Sequence, residues 1–321
     1  MIYIEPKSDS IFYNLASEYY FATEKQFDED VFMLWRVTPT LVIGKFQNTL
    51  EEIDAAYAKE RGITVVRRMS GGGTCYLDPG GIQFAIITKS LKLEIEFERF
   101  ERPVIDVLAS LGVKAEMSGR NDIMTAGKKI SGNSQFRLGP VTVHHGTLLF
   151  DSDLDELQRA TTPKEYKITS KAIKSVRERV TNIREHLPVD MTIDEFKDAL
   201  ANAISDKVYE ITPADDRRIR EIAEEKFADP KIIYASSPKF EIEKTLHLAG
   251  GEFNIGLSVN RGKICDSGIT GDFFAGVSAE EIAGALIGVE YTPDAVFAAL
   301  SEFDGKLYRA SARELVDGIF M

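Results

Sequence analysis

Three consecutive glycines, Gly71-Gly72-Gly73, stand between the strand-forming runs Ile63 to Val66 and Ile82 to Thr88. Without a Cβ at three positions in a row, the backbone can adopt positive φ and approach a ligand closely. Successive N–H groups in such a loop can form a concave nest for an anion. Arg67 and Arg68 precede the glycines across Met69 and Ser70. The planar fork of Arg68 suits a phosphate or carboxylate. The segment is neither a Walker A loop nor a dinucleotide fingerprint. A tight hairpin with incidental arginines would read the same way, so the loop alone does not decide the function.

Around it the periodicity predicts a mixed chain. Ser10 to Glu24 reads as a helix with Phe12, Leu15 and Tyr19 on one face. Val31 to Val37 and Leu41 to Ile43 read as paired strands across Thr38-Pro39-Thr40, and Leu50 to Glu60 as one helix. Thr74 to Tyr76, Lys114 to Met117, Asp122 to Thr125, Lys129 to Phe136 and Thr142 to Phe150 read as further strands, and Phe100 to Leu111 as a helix. Ile193 to Ile204 follows a capping box, Thr192 with Glu195, and Ala214 to Phe227 is a helix ending before Pro230. Ser236-Ser237-Pro238 reads as a linker. Beyond it, strands at Lys244 to Val259 and Gly262 to Ile269 and helices near Ala279 to Ile287, Pro293 to Leu300 and Ser311 to Ile319 make a small α+β unit. The expected division is 1–238 and 239–321.

Charge narrows the partners. The 321 residues carry 39 Lys and Arg against 51 Asp and Glu, a net charge of −12, which argues against nucleic acid as the main partner. No apolar run has the roughly 18–20 residues needed to span a membrane. The first residues, with Glu5, Lys7 and Asp9, do not read as a signal peptide, and Cys75 and Cys265 make no disulfide framework, so a reducing cytoplasm is expected. Within this acidic chain, 61–77 and 123–150 contain no Asp and no Glu, while 164–184 holds seven basic residues against Glu165 and Glu178. Three such segments suggest a local anion site, such as one for a nucleotide.

Four more segments carry chemistry. In Gly119-Arg120-Asn121-Asp122 a carboxylate beside an amide can hold Mg²⁺ and position phosphate oxygens. In Lys129-Ile130-Ser131-Gly132-Asn133, a strand places Lys129, Ser131 and Asn133 on one face. A held lysine there can stabilise charge growing on an acyl oxygen, whereas Lys128 reads as an exposed edge lysine. His144 and His145 face opposite ways on a strand, so they do not readily chelate one metal. Ser175 to Asn182 reads as a polar, basic loop able to close over a nucleotide. Taken singly, each segment also looks like an ordinary polar turn or solvated face.

In this order and spacing the segments resemble the lipoate–protein ligase family. The resemblance rests on Arg67-Arg68-Met69-Ser70-Gly71-Gly72-Gly73, Gly119 to Asp122, Lys129-Ile130-Ser131-Gly132, His144 to Leu149 and Arg177 to Asn182. It extends to Val31 to Asn48 and to the unit after Ser237, nearly the whole chain. It implies an α/β (α+β) catalytic domain of the biotin/lipoate ligase class followed by a small C-terminal α+β accessory domain. It implies ATP and Mg²⁺ as cofactors and lipoic acid as substrate. The implied acceptor is a carrier lysine, on a glycine cleavage H protein or a 2-oxoacid dehydrogenase E2 lipoyl domain, and the enzyme is expected to be a monomer. It implies that Lys129 contacts the lipoyl carbonyl and the adenylate. Arg68, Ser70, Gly71, Gly72 and Gly73 would line the lipoate and phosphate cleft. Asn121 and Asp122 would face phosphate and metal, with Asp122 the metal ligand. Asp78, Ser131, His145, Thr147, Arg179 and Thr181 would complete the lipoate and ATP site.

The chain departs from the family after the glycines. The family usually reads His-Asp-x-Gly-Asn, where this chain has Leu77-Asp78-Pro79-Gly80-Gly81. Two polar groups near the expected nucleotide site are lost, which bears on the efficiency of adenylation. Cys75, close to the glycine loop, leaves open an ATP-independent octanoyl or lipoyl transferase of the same fold, although a small buried hydrophobe is the better reading of that position. A non-catalytic lipoate- or carrier-binding protein is the other alternative.

Overall fold

The computed structural model describes residues 1–47, 49–90, 94–161, 179–233, 242–260 and 262–320. Its centre is an eight-stranded sheet in the order β11-β1-β2-β6-β10-β9-β8-β7. These strands are β1 (Ile2–Ile4), β2 (Val31–Trp35), β6 (Gly81–Lys89), β7 (Ala115–Ser118), β8 (Asp122–Thr125), β9 (Lys128–Leu138), β10 (Val141–Leu149) and β11 (Lys207–Val208). β1 runs parallel to β2 and β11, and every other pairing is antiparallel. Such a sheet must bury both faces. The helices Ile11–Thr23 and Pro213–Lys226 cover one, in a core with Met33, Trp35, Ala85 and Val143. The helices Glu98–Ser110 and Ile193–Ile204 cover the other, with Leu34, Phe84, Ile123 and Ile130.

A second sheet of β3 (Thr40–Ile43), β4 (Thr64–Arg67) and β5 (Cys75–Leu77), in the order β4-β3-β5, carries the glycine loop between its last two strands. One face, with Leu41, Ile43 and Tyr76, builds its own small core. Val42, Val66 and Leu77 join the core of the large sheet on the side of Ile11–Thr23. The glycine loop is thereby held against β9 and β10. After Ile242, β12 (Ile242–Leu248), β13 (Gly251–Asn260) and β14 (Lys263–Thr270) form a separate antiparallel sheet, which packs with the helices Ala279–Gly284, Pro293–Leu300 and Ala312–Phe320 around a third core. Among the described residues no helix is long and apolar enough to cross a membrane.

Three expectations change. β2 and β3 are not a hairpin, because both edges of β2 are taken by β1 and β6, and the chain leaves for the second sheet at Pro39. The helix expected over Leu50 to Glu60 is two, Thr49–Glu52 and Ala55–Glu60, because the Asp54 side chain accepts from Tyr57 N and starts a new helix. Lys244 to Val259 is a hairpin, turning at Ala249-Gly250 into Gly251 at φ +133°. The capping box of Thr192 and Glu195 is present, and Thr212 with Asp215 makes another. The linker expected at Ser236-Ser237-Pro238 lies outside the described residues.

One buried acid in this frame titrates in an unusual range. Glu101, on Glu98–Ser110, is 0% exposed, and neither carboxylate oxygen has a hydrogen-bond partner among the described residues. Burial first, and then the negative charge of Asp122, push its pKa up to about 7, against the opposing pull of Lys129. A folded pKa above the unfolded one gives stability that is full below the unfolded value and is lost as pH rises to the folded value. Glu101→Gln should therefore stabilise the protein at pH 8 by up to roughly 3 kcal/mol, with the gain fading toward pH 4. Urea unfolding of both proteins at the two pH values measures this, and an equal gain at both would contradict it.

Candidate active site

β4 ends at Arg67 and Arg68 follows it, the two side chains going opposite ways as neighbours in extended backbone do. Arg67 gathers the carbonyls of Gly44, Lys45 and Gln47, the Thr49 hydroxyl, and the carbonyls of Ile232 and Ile233. It fixes the turn after β3 and ties it to the segment preceding the C-terminal unit. Arg68 is buried and turns inward. Its Nε donates to Ser70 Oγ at 3.0 Å, Nη1 to the Val42 carbonyl at 3.1 Å, and Nη2 to the carbonyls of Gly71 at 2.7 Å and Gly73 at 2.8 Å. The glycine loop is folded around this guanidinium. Ser134 Oγ on β9 also donates to the Gly71 carbonyl, at 2.8 Å.

The absence of Cβ atoms is required here. Gly72 sits at φ +87°, and a Cβ on Gly71 would lie 2.2 Å from the Phe273 carbonyl oxygen. That oxygen accepts from Gly72 N at 3.1 Å, so the C-terminal unit rests on the loop. Phe46 stacks on Phe273 at 4.7 Å, and Gly271 N donates to the Phe46 carbonyl. Arg120 completes the contact. It pairs with Asp272 at 3.0 Å and donates to the Gly250 carbonyl at 2.6 Å.

On the other side of the loop, Ser70 Oγ meets His145 Nε2 at 2.7 Å, and His145 Nδ1 meets Glu18 Oε2 at 2.9 Å. His144, facing away, lies in the opposite core between Phe84 and Phe100, whose ring stacks on it at 4.9 Å. Neither of its ring nitrogens has a partner, and burial holds its pKa well below the usual histidine range.

At the β8–β9 end, Lys129 Nζ pairs with Asp122 Oδ1 at 2.7 Å, with both side chains about one-third exposed. A Cβ on Gly132 would lie 2.8 Å from that ammonium, so the lysine folds back across a glycine. Gly132 N donates to Thr147 Oγ at 3.2 Å, which brings Thr147 to the same place. Asn121 and Asn133 exchange side-chain to backbone bonds, and Asn133 Nδ2 reaches Ser131 Oγ at 3.2 Å. Thr181 N donates to the Lys129 carbonyl at 3.1 Å.

Most of the site residues read from the sequence thus fall in two groups, one around Arg68 and one around Lys129. Two stand apart. Asp78 spends its oxygens on Gly80 N and Asp153 N, pinning the turn before β6. Arg179 is exposed, and of the segment Ser175 to Asn182 expected as a loop, 175–178 lie outside the described residues. Of the two departures, Leu77 is a buried core side chain, and a Cβ on Gly81 would lie 3.1 Å from Ser152 Oγ. Sequence reading missed Glu18, Gln47, Arg120 and Asp272. Only Arg120 lies in a recognisable motif. Gln47 Oε1 accepts from Gly44 N and from Thr74 Oγ, both at 2.9 Å, and so closes the base of the loop.

The chain thus combines an α/β domain, a glycine loop wrapped on arginine, a lysine–carboxylate pair on the β8–β9 ladder and a small C-terminal unit. The model of the lipoyl protein ligase A/B catalytic domain matches residues 10–205, and that of the bacterial lipoate protein ligase C-terminus matches 237–319. The chain belongs to the lipoate–protein ligase family. It is 41% identical to the lipoate-protein ligase LplJ of Bacillus subtilis, over 87% of this chain and 86% of that one. It is 38% identical to lipoate–protein ligase 1 of Staphylococcus aureus, over 91% and 90%. In structure it is similar to lipoate-protein ligase A bound with ATP, with a TM-score of 0.64 and 25% identity over 73% of this chain and 99% of that one.

The transferase alternative needs a thiolate at Cys75. The side chain is partly buried on β5, 3.9 Å from the Val42 carbonyl. Burial pushes the thiol up, and the positive charges of Arg68 and Lys129 do not reverse it. A protonated thiol is a poor nucleophile. Cys75→Ser should retain most ligase activity in a carrier lipoylation assay. A folded but inactive variant would restore the thioester route.

Proposed function

We infer that this chain ligates lipoic acid to a carrier lysine at the expense of ATP, through a lipoyl-adenylate. The observation that carries this reading is the Lys129–Asp122 pair lying across Gly132, next to a glycine loop shaped by Arg68, in a chain of the ligase family. In the first half-reaction the lipoate carboxylate attacks the α-phosphate of ATP and pyrophosphate leaves. In the second, the carrier amine attacks the acyl carbon and AMP leaves. The Lys129 ammonium would stabilise the charge that grows on the acyl oxygen in both steps. The loop and Lys129 together hold two reactants in one place, which lowers the barrier by proximity.

Mg²⁺ fits the residues present. It binds through one or two carboxylates and the phosphates of the substrate rather than in an all-protein cage. Asp122 offers a carboxylate about one-third exposed with only Oδ1 engaged by Lys129, and among the described residues no three His, Cys, Asp or Glu side chains form a cluster. Asp122 would hold the ion, which would neutralise the pyrophosphate as it leaves. The catalytic unit is read as 1–238 and the accessory unit as 239–321. For Gly72 N to meet a phosphate it must leave the Phe273 carbonyl, which makes movement of the accessory unit part of the cycle. The acceptor is a lipoyl-type carrier domain of the kind named above.

Two expectations follow from the chemistry. The protein should catalyse lipoate-dependent ATP–pyrophosphate exchange that requires Mg²⁺, and transfer without nucleotide would refute adenylation. Lys129→Ala should depress both exchange and carrier lipoylation, by about 10²–10³ if Lys129 acts as one preorganised donor. Lys128→Ala should matter little, because that side chain is exposed at the start of β9 and its charge is screened. Equal losses in the two variants would show that the role assigned to Lys129 is wrong.

A further inference from the structure

Glu18 lies on Ile11–Thr23, far in sequence from every loop of the site, yet it is 1% exposed and bonded to His145. Its other oxygen, Oε1, has no hydrogen-bond partner among the described residues. Burying a carboxylate with one imidazole contact and one bare oxygen is costly. The sheet core around it contains no lysine or arginine in ion-pair contact with Glu18 among the described residues. Hydrogen bonds connect Glu18 to the charge of Arg68 through His145 and Ser70.

The protons along this chain are fixed from the Glu18 end. A carboxylate only accepts, so the imidazole hydrogen sits on Nδ1 and points at Glu18 Oε2. In the neutral ring Nε2 is then bare and accepts from the Ser70 hydroxyl. A guanidinium only donates, so a lone pair of Ser70 Oγ accepts from Arg68 Nε. A buried cation and a buried anion stand at the two ends of one hydrogen-bonded chain, and each link is oriented by the next. Phe136 packs against the His145 ring at 5.6 Å and blocks its free rotation.

We propose that Glu18 is a positioning residue of the adenylating site: by holding His145 as the Nδ1–H tautomer it keeps the Ser70 hydroxyl turned to His145 and its oxygen open to Arg68, and so fixes the guanidinium on which the glycine loop is folded. This rests on the ligase reading above for its catalytic consequence, though not for the tautomer itself. With Glu18→Gln, an amide N–H facing Nδ1 would move the ring hydrogen to Nε2. Ser70 would then accept from both His145 and Arg68, and its own hydrogen would turn away from the ring, so the order of donors along the chain is lost.

The test has two arms. Proton–nitrogen correlation spectra of the histidine rings in the wild-type protein, with His145 assigned by its loss in His145→Ala, read the tautomer without any substrate. Nδ1 protonation is expected, and an Nε2-protonated ring would overturn the proposal. The second arm compares wild type and Glu18→Gln in lipoate-dependent exchange and in calorimetric binding of lipoate alone. The KM and Kd for lipoate should rise about tenfold to a hundredfold, as when an outer partner of a ligand-holding histidine is removed in metal sites, and the KM for ATP should rise with them, because the same glycine loop would meet the phosphates. Unchanged lipoate affinity would overturn the proposal. If Glu18→Gln does not fold, Ser70→Ala, which cuts the chain without stranding a charge, should give the same loss, and full lipoate affinity in it would refute the relay. Absence of exchange in the wild type would refute adenylation instead, leaving the tautomer and lipoate binding to judge Glu18.

Discussion

The buried guanidinium of Arg68 is the interaction on which the rest of the site depends. Three glycines in a row have many backbone states to lose, and fixing them is entropically expensive. Arg68 supplies the compensation from inside the loop, through charge-assisted bonds to the carbonyls of Gly71 and Gly73. Removing a hydrogen-bonded ion from water is itself costly. The cost is met because every direction of the fork but one N–H of Nη1 finds an acceptor, on β3, on Ser70 or on the loop. A lysine could not do this, since its point charge lacks the fixed fork.

From that centre the constraints spread outward in pairs. Arg67, one residue earlier, uses its own fork on the turn after β3 and on Ile232 and Ile233. The same short strand therefore sets the glycine loop on one side and the start of the path to the C-terminal unit on the other. The C-terminal unit then returns to the loop through Phe273 and to the β7–β8 turn through Asp272 and Arg120. Phe46 counts within the core of the C-terminal unit although it belongs to the catalytic domain. The two units thus share an apolar contact as well as the loop amide, and displacing one disturbs the other.

Much of this was legible in the sequence, for identifiable reasons. The glycine triplet, the Asn121-Asp122 step and the Lys129 strand are local, and local patterns carry backbone consequences that a sequence displays. The strands other than β1 and β11, and both long C-terminal helices of the catalytic domain, follow from periodicity and capping; β1, at three residues, and β11, at two, are too short to display a period. What was hidden is long-range. Nothing local shows that β2 has both edges occupied, so its neighbour β3 looked like a hairpin partner. Nothing local distinguishes Glu18 from the solvent-facing acids of other helices. Its partner lies 127 residues away, and only the packing of Ile11–Thr23 on β10 brings the two together. The Arg120–Asp272 pair is hidden for the same reason, at a separation of 152 residues.

The two adjacent histidines show how far residue type alone can go. On β10 they are identical in chemistry and neighbours in sequence, and the pleat sends them to opposite cores. His144 meets aromatic rings and no hydrogen-bond partner, so its nitrogens contribute only a desolvation cost and burial keeps it neutral. His145 meets a carboxylate on one nitrogen and a hydroxyl on the other. Only the second can transmit orientation from a helix to the glycine loop, because only there does each donor have one acceptor and each acceptor one donor. The His-His-Gly-Thr motif therefore contains one packing residue and one link in a hydrogen-bonded chain. It is the register of β10 between β6 and β9 that assigns the two parts.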